Sequence, residues 1–233
     1  MTLPSPAPDL TARLDAALPQ TQCTRCGYPD SRSYAGAMAA GDADINRCPP
    51  GGAEGIVRLA QITGRDPLQL DAERGTEGPR ALAVIDEAWC IGCTLCIKAC
   101  PVDCIVGAPT QMHTVNDNHS TGCELCVPVG PVDCIAMLPV TPGKSGWQAW
   151  SEAQADEARG RYAFHRLRVE RDQRENDERL AARAQAKLAD MGAHSSITDP
   201  ETLAAKRAVI DAALKRARAA RAHDNESTDA HES

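Results

Sequence analysis

Cys90-Ile-Gly-Cys93-Thr-Leu-Cys96-Ile-Lys-Ala-Cys100-Pro101 is the stretch on which the fold turns. Three cysteines at three-residue intervals wrap one corner of a cubane, so that backbone amides can point at its sulfurs. The fourth is carried away by the next turn, which Pro101 fixes, and so reaches a second cluster. A tetrahedral zinc site instead uses two CxxC pairs separated by a longer loop, not four Cys within eleven residues followed by Pro.

Thirty residues later the pattern recurs. Cys93-Thr-Leu-Cys96-Ile-Lys-Ala-Cys100-Pro-Val-Asp-Cys104-Ile aligns without gaps on Cys123-Glu-Leu-Cys126-Val-Pro-Val-Gly130-Pro-Val-Asp-Cys134-Ile. Two copies of one small unit imply a pseudo-two-fold module, with short strands such as 81–85 and brief helices after the cysteines. The second copy departs twice, with Ser120 at its first cysteine position and Gly130 at its fourth. Crossed ligation then gives one site Cys90, Cys93 and Cys96 facing Gly130, and the other Cys100, Cys123 and Cys126 with the Ser120 oxygen.

Each site therefore has three sure thiolates. A site short of its fourth ligand settles as a three-iron cluster, keeps an iron with water or another group, or recruits a spare thiol. Cys104 and Cys134 are the spares, and the favoured reading makes both small buried residues behind the clusters. Ser120 is a weak ligand, or an ordinary solvated serine, because a hydroxyl gives up its proton far less readily than a thiol. His119 beside it reads as a surface histidine before it reads as a ligand.

Upstream, Cys23-Thr-Arg-Cys26 and Cys48-Pro49 form a further group, with Ser31 where a fourth ligand would be convenient. Spacing alone leaves this group open between zinc, a cluster and incidental pairs. Leu10, Leu14, Ala17 and Leu18 mark a first helix that Pro19 helps to end, and residues 53–63 read as another, stopped by Gly64. Between Cys26 and Cys48 lies a small-residue stretch, and 65–80 is polar enough for a linker. The organisation expected is α+β: an N-terminal domain over 1–79, the repeat domain over 80–140 in halves of 81–110 and 111–140, and a charged helical extension over 141–233. In the extension one helix is expected over 151–191 with Gly192 as its stop. A second follows the N-cap chemistry of Thr198-Asp-Pro200, with Leu203, Ile210, Leu214 and Ala217 as its stripe and disorder from His223.

Composition narrows the function. Three Trp, three Tyr and one Phe in 233 residues are few, so something other than large side chains must hold the core. Residues 1–150 carry ten Lys and Arg against sixteen Asp and Glu, a balance that repels nucleic acid. No run of signal-peptide or membrane length occurs in 1–20, which predicts a cytoplasmic chain, where clustered CxxC motifs bind metal instead of forming disulfides. No dinucleotide loop, Walker motif or nucleophile elbow is present, so no catalytic side chain is expected. The tail is near-balanced in charge and reads as solvated helices; the alternative is that its apolar stripe docks a partner, with Lys215, Arg216 and Arg218 aiding contact with acidic surfaces or headgroups.

The run from Cys90 to Pro101 resembles bacterial two-cluster ferredoxins. Taken with Gln20-Thr-Gln-Cys23-Thr-Arg-Cys26-Gly-Tyr-Pro and Asn46-Arg-Cys48-Pro-Pro-Gly-Gly, it resembles the B-type subunit of the Rnf/Rsx electron transport complex over roughly residues 8–140. That resemblance implies an N-terminal 4Fe-4S domain on Cys23, Cys26 and Cys48, with Ser31 replacing the family's third cysteine, and two further 4Fe-4S clusters. It implies redox protein partners: ferredoxin, a flavoprotein or membrane electron-transport subunits. The chain resembles the soluble, tail-bearing variety, so peripheral association with the inner face of the cell membrane is expected at most. With Ser31, Ser120 and Gly130 in place, 3Fe-4S occupancy is an expectation wherever a ligand is missing. Single-electron relay is the function expected, and the alternative is a non-redox iron-sulfur or zinc scaffold that senses or binds partners.

Overall fold

A computed structural model describes residues 9–190, 197 and 199–229. Helices α1 (Leu10–Ala16), α2 (Ser31–Ala40) and α3 (Gly52–Thr63) build the first core, burying Leu14, Tyr34, Met38, Ile56 and Leu59. Asp9 and Asp30 cap α1 and α2, their carboxylates accepting the Ala12 and Ser33 N–H groups at 2.6 Å. Gly41 (φ 88°) and Gly64 (φ 72°) end α2 and α3 in the left-handed conformation that only glycine adopts at little cost. The small-residue stretch between Cys26 and Cys48 is thus helix α2, held by Tyr34 and Met38 on one buried face. The Tyr34 hydroxyl donates to Asp44 O at 2.7 Å and accepts from Arg47 N at 3.1 Å, which fixes the loop that delivers Cys48. The polar stretch 65–80 is tied down as well: Arg65 donates to the Ala43 and Met38 carbonyls at 3.0 Å each, and Asp71 N to Asn46 O at 3.0 Å.

The repeat folds as two interlocked antiparallel pairs. Strand β1 (Ala81–Ile85) pairs with β4 (Ile135–Pro139), in register from Ala81 opposite Pro139 to Ile85 opposite Ile135. Strands β2 (Ile105–Val106) and β3 (Thr114–Val115) pair likewise. A thirty-residue shift carries β2 onto the start of β4, so each pair joins one half of the repeat to the other. Their core is Ala83, Ile85, Val102 and Ile105 together with Cys96, Cys100, Cys104 and Cys126, so thiols fill the space that aromatic residues usually occupy.

A brief helix follows the cysteines only in the first half, α4 (Leu95–Ala99). There Lys98 N donates to Thr94 O at 3.2 Å. The equivalent of Lys98 is Pro128, which has no N–H to give, and the second half turns without forming a helix.

Beyond the repeat, a 3-10 turn over Gly146–Ala149 inserts Trp147 into the first core. Its indole Nε1 donates to Ala17 O at 2.8 Å, and the Arg58 guanidinium lies over its ring at 4.2 Å. Gly55 makes room, because a Cβ there would stand 3.1 Å from the indole Cδ1. Helix α5 (Glu152–Ala189) then begins by burying Ala155 and Ala158. Its first turns reach both cysteine regions. Arg159 pairs with Asp15 at 3.3 Å, Arg161 Nε donates to Val102 O at 3.0 Å, and the Tyr162 hydroxyl donates to Asp30 at 3.1 Å.

The chain divides into two compact units, the first ending at Arg166 and the second beginning at Leu167. The second holds the rest of α5 and α6 (Pro200–Asp229), which Asp199 caps by accepting Thr202 N at 2.8 Å. On α6, Leu203 and Ile210 are half-buried and Leu214 is buried, while most described neighbours are exposed. Exposed pairs such as Arg168–Asp172 and Lys215–Asp211 lace the two helices, each contributing little. Where disorder is expected from His223, α6 continues to Asp229, over residues that contain neither proline nor glycine to break it; residues 230–233 lie outside the described residues. Gly192 and Thr198 lie outside the described residues.

Candidate functional site

Three loops share one unusual backbone. Cys23 lies between Gln22 (φ 56°) and Thr24 (φ 59°), Cys93 between Gly92 (69°) and Thr94 (64°), and Cys123 between Gly122 (68°) and Glu124 (66°). Positive φ is costly for any residue with a Cβ, and most for a β-branched threonine, so the surroundings must enforce it. Successive amides in such turns make concavities that bind anions. The upstream CxxC therefore uses the same turn as the two repeats, a kinship hidden in the sequence because Gln22 stands where the repeats have Gly92 and Gly122. A chain of buried amides holds this first loop. Gln20 Nε2 donates to Asp15 O at 2.6 Å, Gln22 Nε2 to Gln20 Oε1 at 3.0 Å, and Ser31 N to Gln22 Oε1 at 2.9 Å.

The loops gather the cysteines into groups. Cys23, Cys26 and Cys48 line one cavity with Ser31, Tyr34 and Asp30. Cys100, Cys123 and Cys126 line another with Cys104 and Ser120. Ser120 is buried, not solvated, and its Oγ accepts from Ala83 N of β1 at 3.5 Å. Cys90, Cys93 and Cys96 form the third group, where His113 Nδ1 lies 3.3 Å from Cys96 Sγ. His113 is fully buried, and its Nε2 has no hydrogen-bond partner among the described residues. His119 contributes to none of the groups, its Nε2 resting 3.4 Å from Glu157. Gly130 supplies no donor, and Cys134 lies half-buried beside the third group.

Electrostatics sharpen the picture. Burial pushes the Cys123 thiol up to about 11 and the Cys126 thiol up to about 12, with the negative charge of neighbouring thiolates adding to the rise. Burial raises Cys26, Cys48 and Cys96 as well. Cys100 goes the other way and is lowered, because Cys104 Sγ lies 3.4 Å from its sulfur and the Cys104 backbone N–H donates to it at 3.3 Å. Cys104 is correspondingly raised, by that thiol–thiol contact and by burial. Thiolates crowded this way need cationic iron to be stable together.

The donor set fits multi-iron clusters. Cys23, Cys26 and Cys48 line one cavity and Cys100, Cys123 and Cys126 another, and a cluster takes one thiolate per iron around such a circle. The groups are also neighbours. Cys96 of the third group shares one core with Cys100 and Cys126 of the second. Thr121 Oγ1, donating to Thr21 O at 3.0 Å, and the Arg25–Glu124 ion pair at 2.6 Å join the first two.

Comparison with known proteins agrees with this layout. Residues 83–137 match the family described as a 4Fe-4S dicluster domain, and residues 18–50 match an Fe-S cluster family. The B-type subunit of the ion-translocating oxidoreductase complex from Azoarcus sp. is 61% identical over 108 residues, 46% of this chain and 59% of that protein. Its counterpart in Thiobacillus denitrificans is 58% identical over 139 residues, 60% of this chain and 74% of that protein. That of Alkalilimnicola ehrlichii is 56% identical over 149 residues, 63% of this chain and 79% of that protein. No solved structure matches significantly.

Proposed function

The chain belongs to the family of B-type subunits of the ion-translocating oxidoreductase complex, and from that premise we propose that it relays single electrons between redox protein partners as the corresponding component of an Rnf/Rsx-type complex. The observation that carries this reading is the succession of three cysteine groups, the first joined to the second by Thr121–Thr21 and Arg25–Glu124, the second sharing a core with Cys96 of the third. Bound iron-sulfur clusters supply reversible one-electron storage, at potentials that depend on ligands, hydrogen bonds to sulfur and exposure.

The side chains act by holding and tuning. Cys23, Cys26 and Cys48 hold the first centre, Cys100, Cys123 and Cys126 the second, and Cys90, Cys93 and Cys96 the third. Cys104 and His113 stand within hydrogen-bonding distance of a ligand sulfur, which stabilises its negative charge and so favours the reduced state. The acidic surface of residues 1–150 favours partners with a basic face. Among the described residues no helix is long and apolar enough to cross a membrane. We assign the chain to the cytoplasmic side, meeting ferredoxin, flavoprotein or membrane subunits there.

Anaerobic reconstitution with iron and sulfide, followed by EPR of the reduced and oxidised chain, tests this. Relay predicts acid-labile sulfide and reversible reduction of two or three centres. Zinc without sulfide overturns it. The substitutions at Ser31, Ser120 and Gly130 favour a second reading, a non-redox cluster scaffold, whose mark is sulfide uptake without reversible reduction.

A further inference from the structure

Cys104 and Cys134 are equivalent by the thirty-residue register, yet the structure sets them in different positions. Cys104 is 5% exposed and packed against Cys100, to which both its thiol and its amide are bonded. The Cys104 N–H donates to the Cys100 sulfur, which makes Cys104 a hydrogen-bonding partner of that ligand. In the other half no such role exists for Cys134, because the residue four places before it is Gly130, with no sulfur to receive a bond.

Cys134 is instead built into the wall of the third group. The β1–β4 register closes at Ile85 opposite Ile135, which makes Asp86 and Cys134 the next facing residues. Asp86 N donates to Cys134 O at 2.8 Å, and Cys90 N donates to Asp86 O at 3.1 Å. Cys134 and Cys90 are thus both pinned to the backbone of Asp86, and both pack against the core that contains Cys96. The bond from Cys134 N to Val132 O at 2.9 Å folds residues 132–134 tightly.

We infer that Cys134 supplies the fourth thiolate to the Cys90, Cys93, Cys96 centre in place of Gly130, while Cys104 stays a hydrogen-bond donor and the Cys100, Cys123, Cys126 centre keeps three thiolates. The inference rests on the cluster reading above. Ligation releases the Cys134 proton to solvent and forms one sulfur–iron bond, with no change of oxidation state.

The test uses the full chain reconstituted with iron and sulfide, as wild type, Cys134→Ser, Cys104→Ser and Cys134→Ser combined with Gly130→Cys. Iron and sulfide are counted, and EPR of the oxidised protein reports three-iron centres. Cys134→Ser is expected to lose about one iron per chain and to gain a three-iron signal, and adding Gly130→Cys to reverse both. Cys104→Ser is expected to keep the wild-type count and lower one midpoint potential. A Cys134→Ser chain with wild-type iron and spectrum overturns the inference, as does iron loss in Cys104→Ser instead. Wild type that takes up metal without sulfide overturns the cluster reading itself. The Gly130→Cys rescue separates lost ligation from lost folding, since a chain that merely misfolds is not repaired by a thiol at 130.

Discussion

Tyr162 donates its hydroxyl proton to Asp30 Oδ2 across 3.1 Å, joining the first turns of α5 to the residue that caps α2. Asp30 also precedes Ser31 on the wall of the first cysteine cavity, and Tyr162 packs against the core of the repeat. One side chain therefore braces two cysteine groups. Burial and the Asp30 carboxylate together push the Tyr162 hydroxyl up to about 12.

Tyr162→Phe is expected to lower the stability of the cluster-free chain by about 1 to 2 kcal/mol, measured by urea unfolding. Burial raises the Asp30 carboxyl, but donors from Ser33, Tyr162 and the Arg166 charge outweigh it and hold it below the usual range. A depressed carboxyl stabilises the fold above its unfolded value near pH ~4 and loses that contribution as pH falls through its folded value. Wild type is thus expected to lose stability below about pH 4, and Tyr162→Phe to show a shallower loss there.

Gly122→Ala is expected to damage the second centre. A Cβ at Gly122 would sit 2.3 Å from Ala81 O, backbone that cannot give way without displacing β1, and φ is +68°. The expected cost is about 2 to 4 kcal/mol, with reduced iron uptake on reconstitution. Gly143→Ala, where no atom lies within 4 Å, shares the positive φ and serves as the control. Equal losses in both variants would assign the effect to backbone strain alone.

Ser31→Cys is expected to add about one iron per chain. Ser31 lines the cavity of Cys23, Cys26 and Cys48 at the first position of α2, where the helix N-terminus stabilises a thiolate. An unchanged count would show that another group already completes the centre.

His113→Leu is expected to lower the midpoint potential of the Cys90, Cys93, Cys96 centre while leaving the iron count unchanged. The imidazole Nδ1 is 3.3 Å from Cys96 Sγ, and a lost donor leaves the sulfur's negative charge less stabilised. Potentiometric titration followed by EPR checks this, and an unmoved potential would show that the contact does not tune it.

The repeat was legible because its register is written in residues that cannot be disguised, cysteine and proline at fixed intervals. Strand β1 followed from the two-copy module, and the end of helix α3 from Gly64. Helix α2 was harder to see, because its alanines, serines and glycine give little amphipathic contrast, and only the i, i+4 pair of Tyr34 and Met38 marks its buried face. The missing helix in the second half was written in Pro128 all along. Nothing local announced that Trp147 would travel back to Ala17, since a contact 130 residues long depends on packing and not on periodicity. The buried Gln20 and Gln22 were equally silent, because polar residues near a CxxC pair read as surface until their partners are known.

Duplication produces halves of equal electron affinity, and equal halves share a charge without preferring either end. Here the symmetry is broken at several aligned positions, Cys100 and Gly130 among them. Cys100 takes a hydrogen bond from the Cys104 N–H and contacts its thiol, while its counterpart Gly130 has no sulfur on which such a bond could fall. A difference of that kind gives an otherwise symmetric module polarity, so that an electron entering it has a downhill way to leave.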